Sequence, residues 1–178
     1  PLEIFMIWNG GMSFHGGLIG VSLVIILYSH KLQINKWFLS DLVSCAVPIG
    51  ILLGRTANFI NGELYGRIAL NIKWAIVFPN AGPLPRHPSQ LYEAALEGVL
   101  LFLIMYFFWR NKKIRNNHGL LTGIFCILYA LFRSFCEYFR EPDAHLGFLF
   151  YQITMGQLLS ILLLLFGCLV MHRTLKRK

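Results

Sequence analysis

Charged side chains are scarce in this sequence, and acidic ones are the scarcest. Only 13% of the 178 residues are charged, with 8 Asp and Glu against 16 Lys and Arg, whereas 56% are hydrophobic. Soluble domains carry about 25% charged residues, so this composition excludes an ordinary soluble domain. Because a membrane-spanning helix needs about 20 mostly apolar residues, the sequence predicts an all-α, polytopic membrane helix bundle with about five transmembrane helices. We expect residues 1–178 to form a single integral membrane domain.

Cysteine pairs with metal-site or redox spacing are also missing. The four cysteines, Cys45, Cys126, Cys136 and Cys168, fall inside apolar runs without a CxxC pair or a His/Cys ligand spacing. We interpret them as small buried residues, and we expect no metal and no other cofactor. The net charge of +8 does not indicate nucleic-acid binding, because basic and aromatic residues are not interleaved on one surface.

Five apolar runs give the expected spans, at residues 14–30, 39–59, 89–109, 120–139 and 152–171. The polar segment 61–88 separates the second span from the third and contains four of the seven prolines. It predicts a small extramembrane lobe, with a short strand at Trp74–Phe78.

Basic residues in alternate loops predict the orientation of the bundle. Ten of the 16 Lys and Arg residues lie in segments 31–36, 110–115 and 173–178, all on one side of the predicted bundle. Cytoplasmic loops carry such an excess of Lys and Arg. The 61–88 lobe and the 140–150 loop therefore face outward, and the candidate functional residues cluster near that face.

The segment Gly54–Arg67 places two arginines, a glutamate and two asparagines directly after the apolar run 42–53. An arginine at membrane depth costs roughly 3 kcal/mol or more, so it normally lines a polar cavity. If the helix continues this far, Arg55, Asn58 and Asn61 lie roughly on one side. Arg55 offers a planar, permanently charged fork that suits a phosphate or carboxylate. Two glycines around Glu63 predict that the helix ends in a site-forming loop.

A second group of polar residues lies on the fourth span. Tyr129, Arg133 and Glu137 are spaced i, i+4, i+8 and share one helix face, with Arg140 one further turn on. One interpretation is an internal Arg133–Glu137 pair with Tyr129 as an interfacial aromatic. The other is that Glu137 holds Arg133 toward an anion, so that Arg133 and Arg55 converge on one phosphate.

Two further stretches have weaker signals. His15 precedes two glycines at the start of the first span. A lone His near a membrane edge is more often an interfacial hydrogen-bonding group, but its ordinary pKa also suits a base that takes a proton from a thiol or hydroxyl. In Arg86–Glu93, helix capping and bundle packing explain most residues, and Glu93 and Glu97 share a helix face at i, i+4.

Four blocks together resemble the prolipoprotein diacylglyceryl transferase family of the bacterial inner membrane. In that family's order they are His15–Leu18, Gly54–Arg67, His87–Glu93 and Tyr129–Asp143. The most specific one is similar to the family signature and reads Gly54-Arg55-(x)2-Asn58-Phe59-x-Asn61-x-Glu63-(x)2-Gly66. It departs from the signature at Ala57, where the family usually has glycine. Family members are also longer at the amino end, where additional spans carry a tyrosine important for activity.

The resemblance implies transfer of a diacylglyceryl group from phosphatidylglycerol to the lipobox cysteine thiol of a preprolipoprotein, with release of glycerol phosphate. We expect this reaction at the periplasmic side of the inner membrane, with the preprolipoprotein signal peptide and membrane lipids as partners. The expected catalytic residues are His15, Arg55 and Arg133. The expected substrate-binding residues are Asn58, Asn61, Glu63, Gly66, Tyr129, Glu137 and Arg140.

Two other classes of membrane protein could use buried charges. A transporter or channel for an anionic lipid or solute would have polar residues reaching both faces, whereas here they stop in the outer half. An intramembrane protease would need a Ser/His or paired Asp site on facing helices. Ser13 and His15 are instead neighbours in sequence, and no suitable Asp pair is present.

Overall fold

The fold of this chain is a bundle of apolar helices, as the composition predicts. The computed structural model describes residues 14–142 and 154–176, with side chains from residue 16 onward. Its helices are α1 Phe14–Lys31, α2 Lys36–Asn61, α3 Ser89–Glu93, α4 Leu101–Arg110, α5 Lys112–Arg115, α6 Leu120–Cys136 and α7 Met155–Lys176. A π-helical segment, Ala94–Leu100, joins α3 and α4 into one continuous rod. The described ranges contain no strand, which confirms the all-α prediction.

Five apolar helices account for the predicted spans. Three of them are long and apolar enough to cross a membrane: α2 with 26 residues, the α3–α4 rod with 22 and α7 with 22. The other two, α1 and α6, are shorter apolar helices. α2 begins earlier than predicted because the Asn35 side chain caps it by accepting a hydrogen bond from the Trp37 N–H. It ends at Asn61, where Gly62 adopts the left-handed conformation with φ 67°.

The fourth helix is shorter than predicted. α6 ends at Cys136, and residues 137–139 form a turn instead of continuing to Phe139. The prediction that the helix reaches Phe139 was wrong, and Arg140 follows the turn, where its N–H still donates to the Cys136 carbonyl at 3.2 Å. The backbone around Arg140 also pairs with the loop after α2, since the Arg67 N–H donates to the Phe139 carbonyl at 2.9 Å and Gly66 bridges Arg140.

The predicted strand at Trp74–Phe78 is absent. Trp74 lies in a turn, and extended pairing is limited to an isolated bridge between Ile76 and Arg86. Segment 62–88 is held instead by the buried Phe78 ring, which packs against the rings of Phe59 and Tyr65. The placement of this segment as an extramembrane lobe, and the single-domain organisation of the whole chain, stay predictions.

Small residues bring α6 and α7 together. A Cβ atom added to Gly167 would lie 2.9 Å from Cys126 Cβ, closer than packed carbons come. All four cysteines are free; Cys126 and Cys136 are buried, as predicted, and Cys45 is half-buried. The prediction was wrong for Cys168, which is exposed because it follows Gly167 and the helix turns it about 100° away from α6.

A buried carboxylate ties α2 to the start of α6. Asp41 accepts hydrogen bonds from the Gly119 N–H, the Thr122 N–H and the Thr122 hydroxyl, each at 2.7 Å. These groups lie at the amino end of α6, so Asp41 acts as a helix cap supplied by another helix. The contact fixes the position of α2 relative to α6 along the bundle axis. These two helices carry Arg55 and Arg133.

Candidate functional site

Three arginines surround the carboxylate of Glu93, whose side chain is fully buried at the end of α3. Arg55 Nε lies 2.6 Å from Glu93 Oε2. Arg133 Nη1 lies 3.1 Å and Arg140 Nη1 3.3 Å from Glu93 Oε1. The arginines come from α2, α6 and the segment after α6, so Glu93 joins three separate parts of the chain. We call these four residues the arginine cluster.

Arg133 contacts two further carboxylates. Its Nη2 atom lies 2.7 Å from Glu137 Oε2, and its Nη1 atom lies 3.9 Å from Glu97 Oε1. The internal Arg133–Glu137 pair is therefore present, which agrees with one of the two interpretations of the i, i+4 spacing. Glu97 is fully buried, and neither of its oxygens has a hydrogen-bond partner within the described residues.

Arg55 is the most accessible member of the arginine cluster. Its side chain is 20% exposed and uses Nε to contact Glu93. Within the described ranges, no hydrogen bond or ion pair engages either of its terminal nitrogens. Arg55 therefore presents a guanidinium fork, held in place from behind by a carboxylate, that can take two oxygens of an anion.

Several ion pairs of Glu93, Glu137 and Arg133 are close but lack the geometry of a hydrogen bond. Glu93 Oε2, Glu137 Oε2 and Arg133 Nη1 are buried and have no aligned hydrogen-bond partner among the described residues. A buried polar group left unsatisfied costs about 1–3 kcal/mol, and more when it is charged. Arg133 Nη1 would therefore gain from an aligned acceptor, whereas the Glu93 and Glu137 oxygens would gain from an aligned donor.

Gly66 has a packing role that needs no ligand. A Cβ atom at this position would lie 2.5 Å from the carbonyl oxygens of both His87 and Phe139. The Gly66 N–H donates to the His87 carbonyl at 2.9 Å, and nearby the Gln90 side chain donates to the Glu63 carbonyl at 2.7 Å. The loop after α2 is thus docked on the start of α3, next to Glu93.

The other predicted binding residues lie around this loop and on α6. Asn58 is half-buried on α2, one turn beyond Arg55. Asn61 and Glu63 are exposed and hydrogen-bond each other at 3.2 Å, without a described contact to the arginine cluster. Tyr129 is half-buried, and its ring stacks on Phe125.

The sequence model of the prolipoprotein diacylglyceryl transferase family matches residues 1–173. The chain belongs to this family. It is 55% identical over 177 residues to the phosphatidylglycerol–prolipoprotein diacylglyceryl transferase of Paramagnetospirillum magneticum, covering 99% of this chain and 66% of that protein. The proteins of the same name from Rhodospirillum rubrum and Aeromonas hydrophila are 51% and 48% identical over 96% and 99% of this chain.

This member of the prolipoprotein diacylglyceryl transferase family spans less than two thirds of the length of those relatives. The match covers 62% of the Rhodospirillum protein and 63% of the Aeromonas protein. The apolar helices and the family membership together establish a membrane protein.

His15 lies in the first turn of α1, but its side chain is outside the described residues. α1 packs against α2, the helix that carries Arg55. The expected role of His15 in the diacylglyceryl transferase site stays a prediction.

Two residues that organise this site were not among the predicted site residues. Glu93 was assigned to helix capping and packing, although an acid inside an apolar helix needs a cation, and that signal was present. Gly156 on α7 gave no signal. A Cβ atom there would lie 2.8 Å from Glu137 Oε2, so the missing side chain leaves room for the carboxylate that holds Arg133.

A second histidine lies near the cluster, in the segment before α3. His87 Nδ1 is 3.2 Å from the Tyr92 hydroxyl, which also accepts a hydrogen bond from the Trp74 indole N–H at 2.8 Å. Burial lowers the pKa of His87, which favours the neutral imidazole in this contact.

Proposed function

We propose that this chain forms the part of a diacylglyceryl transferase that binds phosphatidylglycerol and transfers its diacylglyceryl group to the cysteine thiol of a prolipoprotein. The observation that carries the proposal is the convergence of Arg55, Arg133 and Arg140 on one buried carboxylate. A phosphodiester headgroup is anionic, and its oxygens match the donors of a guanidinium fork. The names of the relatives favour this reaction over a transporter or channel.

The reaction needs help at the departing phosphate. The substrate thiol loses its proton, its sulfur bonds to a glycerol carbon, and the carbon–oxygen bond to phosphate breaks. The electron pair of that bond leaves on the oxygen of glycerol phosphate, so negative charge grows there. Arg55 and Arg133 are our proposed stabilising residues, because fixed cations in a dry site stabilise such charge strongly.

The thiol proton needs an acceptor, and the candidate is His15, which then returns the proton to glycerol phosphate. The nucleophile belongs to the substrate, so this mechanism uses no cysteine of the chain itself. The preprolipoprotein would present its lipobox cysteine from the signal peptide. We place the reaction at the periplasmic side of the bacterial inner membrane.

The remaining residues of the site would hold the headgroup and the arginines. Glu137 orients Arg133, and Arg140 shares the charge of Glu93. Asn58, Asn61 and Glu63 orient the glycerol headgroup, Tyr129 donates to the phosphate, and Gly66 allows the loop to approach the site. Contacts of this kind gain rate by fixing the reacting atoms in position.

Mass spectrometry of a substrate peptide tests the proposal. The purified protein is incubated in phosphatidylglycerol vesicles with a lipobox peptide, beside a longer relative as positive control. We expect the peptide cysteine to gain one diacylglyceryl unit. Arg55→Ala should abolish the product while the protein stays in the membrane, whereas Arg110→Ala, at the other end of the bundle, should retain it. Full activity of Arg55→Ala would refute the assignment, and anion flux across the vesicles without lipidated peptide would support the transporter or channel.

A further inference from the structure

A crevice opens between α2 and α7, at the end of the bundle opposite the arginine cluster. Among the described residues, α2 and α7 each pack against α6 but not along each other. They leave a cavity of about 250 Å³ beside the first turn of α2 and the last turns of α7. Small-molecule sites begin at roughly 300 Å³, so the size suits a lipid headgroup rather than a whole lipid.

The floor of the crevice is fixed by a close approach of three helices. Trp37 and Thr174 line it from α2 and α7. Both also pack on Gly119, just before α6, where an added Cβ atom would lie 3.0 Å from Thr174 Oγ1 and 3.4 Å from the Trp37 indole. Phe166 and Leu169 continue the wall toward the middle of α7 and are 47% and 45% exposed. An exposed apolar surface therefore extends from the crevice along α7.

The basic side chains that line the crevice have no acidic partner among the described residues. Lys36 and Arg173 line it, and neither makes an ion pair in the part of the chain that the structure describes. Segments 31–36, 110–118 and 172–178 contain no acid. Asp41 is the nearby acid on α2, but it is buried and its carboxylate already caps α6.

We propose that this crevice binds an anionic phospholipid of the leaflet at the basic end of the bundle. The phosphate would lie between Lys36 and Arg173, and an acyl chain would follow Phe166 and Leu169. Trp37 suits the depth of a headgroup, since Trp is enriched at the membrane–water interface. Basic pockets between helices on the cytoplasmic side bind anionic headgroups in this way. Basic residues that only fix orientation would need no such cavity.

Lipid retention and thermal stability measure this binding. The whole chain and its variants are placed in phosphatidylcholine nanodiscs with or without phosphatidylglycerol, and retained lipids are counted by native mass spectrometry. We expect the unmodified chain to retain an anionic lipid and to unfold at a higher temperature when phosphatidylglycerol is present. Lys36→Gln/Arg173→Gln should weaken the apparent affinity about 30-fold, since each basic residue near a membrane surface gives roughly a fivefold attraction.

Two controls separate a built site from diffuse attraction. Lys112→Gln/Lys113→Gln removes the same charge at the same end of the bundle and should retain the lipid. Leu169→Trp narrows the crevice without changing charge and should lose it. The proposal is overturned if both charge variants lose the lipid equally, if Leu169→Trp retains it, or if phosphatidylcholine binds as well. It is also overturned if soluble glycerol phosphate raises the unfolding temperature as much as phosphatidylglycerol does. Finally, it is overturned if the unmodified chain retains no anionic lipid, as expected if protein and not lipid occupies the crevice. None of these outcomes depends on transferase activity, so the proposed function is tested separately.

Discussion

At the residue scale, Glu93 determines the charge balance of the site. It is fully buried and lies within 3.3 Å of three guanidinium groups. Removing one partner of a buried ion pair typically costs about 3–5 kcal/mol, because it leaves an uncompensated charge. Glu93 therefore holds the three arginines together, and its removal would leave their charges without this partner.

Glu93→Gln should lower both stability and activity. The amide keeps the size of the side chain but loses the charge, so Arg55 and Arg133 repel each other and move apart. We expect diacylglyceryl transfer to fall by roughly 100-fold, the effect of about 1 Å of misplacement, and the thermal unfolding midpoint to drop. Glu141→Gln is the control. The Glu141 side chain, which pairs with Arg86, is 46% exposed, and exposed ion pairs contribute at most about 1 kcal/mol to stability. Unchanged activity in Glu93→Gln would show that the arginines do not need this carboxylate.

Single residues were predictable from sequence only where the signal was local. Arg55 and Arg133 stand out because permanent charges in apolar runs are costly, and the Arg133–Glu137 pair follows from i, i+4 spacing. Glu93 gives the same local signal, an acid in an apolar helix, but which cations it contacts was not predictable, because its three partners come from segments that meet only in the folded bundle.

At the element scale, α7 shapes the site without contributing a charge. Gly156 faces the carboxylate of Glu137. A Cβ atom added to Gly156 would lie 2.8 Å from Glu137 Oε2 and 2.9 Å from Oε1. The carboxylate is the flexible end of a side chain, so it can move when space is lost. Its movement would release Arg133, which it contacts at 2.7 Å.

Gly156→Ala should lower activity more than stability. Alanine favours the helix over glycine by up to about 1 kcal/mol, which offsets part of the cost of displacing Glu137 from Arg133, so the unfolding midpoint should fall by less than in Glu93→Gln. Transfer should nevertheless fall, by about 10-fold or more, because Glu137 no longer holds Arg133 in position. Gly50→Ala makes the same change on α2, where nothing lies within 4 Å of the added atom, and it should keep full activity. Equal activity in the two variants would argue against a positioning role for Gly156.

The cap that α2 supplies to α6 gives a second prediction at this scale. Asp41→Ala removes the acceptor of three hydrogen bonds at the amino end of α6. Loss of a helix cap costs up to about 2 kcal/mol, so thermal unfolding should shift clearly downward. Ser40→Ala, which loses only the hydrogen bond between the Ser40 and Thr122 hydroxyls at 3.0 Å, should change the midpoint little. A midpoint for Asp41→Ala equal to that of Ser40→Ala would mean that the cap does not hold the two helices.

The helices themselves were predictable, but their ends were not. Long apolar runs predict α2 and the rod from Ser89 to Arg110, because the membrane requires satisfied backbone hydrogen bonds. α6 stops at Cys136 because its following backbone pairs with the loop after α2, and no local pattern encodes that pairing. The isolated bridge at Ile76 likewise replaced a predicted strand, since the segment offers a single pairing position.

At the scale of the whole molecule, the two ends of the bundle differ in charge. Segments 31–36, 110–115 and 173–178 carry ten basic residues and no acid, whereas Glu93, Glu97 and Glu137 lie with their arginine partners toward the other end. Composition alone predicted the membrane bundle. Which end faces the cytoplasm is predicted from the positive-inside rule, and it decides the side from which the proposed substrate would reach the site.

Cysteine labelling in intact cells checks this orientation. Asn80 and Asn116 are both exposed and lie in connections at opposite ends of the bundle, so Asn80→Cys and Asn116→Cys report on the two sides. A membrane-impermeant maleimide, given access to the periplasm, should label Asn80→Cys before lysis and Asn116→Cys only after it. The unmodified chain is the control, because two of its cysteines are buried and Cys168 lies in the apolar α7. Labelling of Asn116→Cys alone in intact cells would place the arginine cluster toward the cytoplasm, where the proposed reaction with an exported prolipoprotein could not occur.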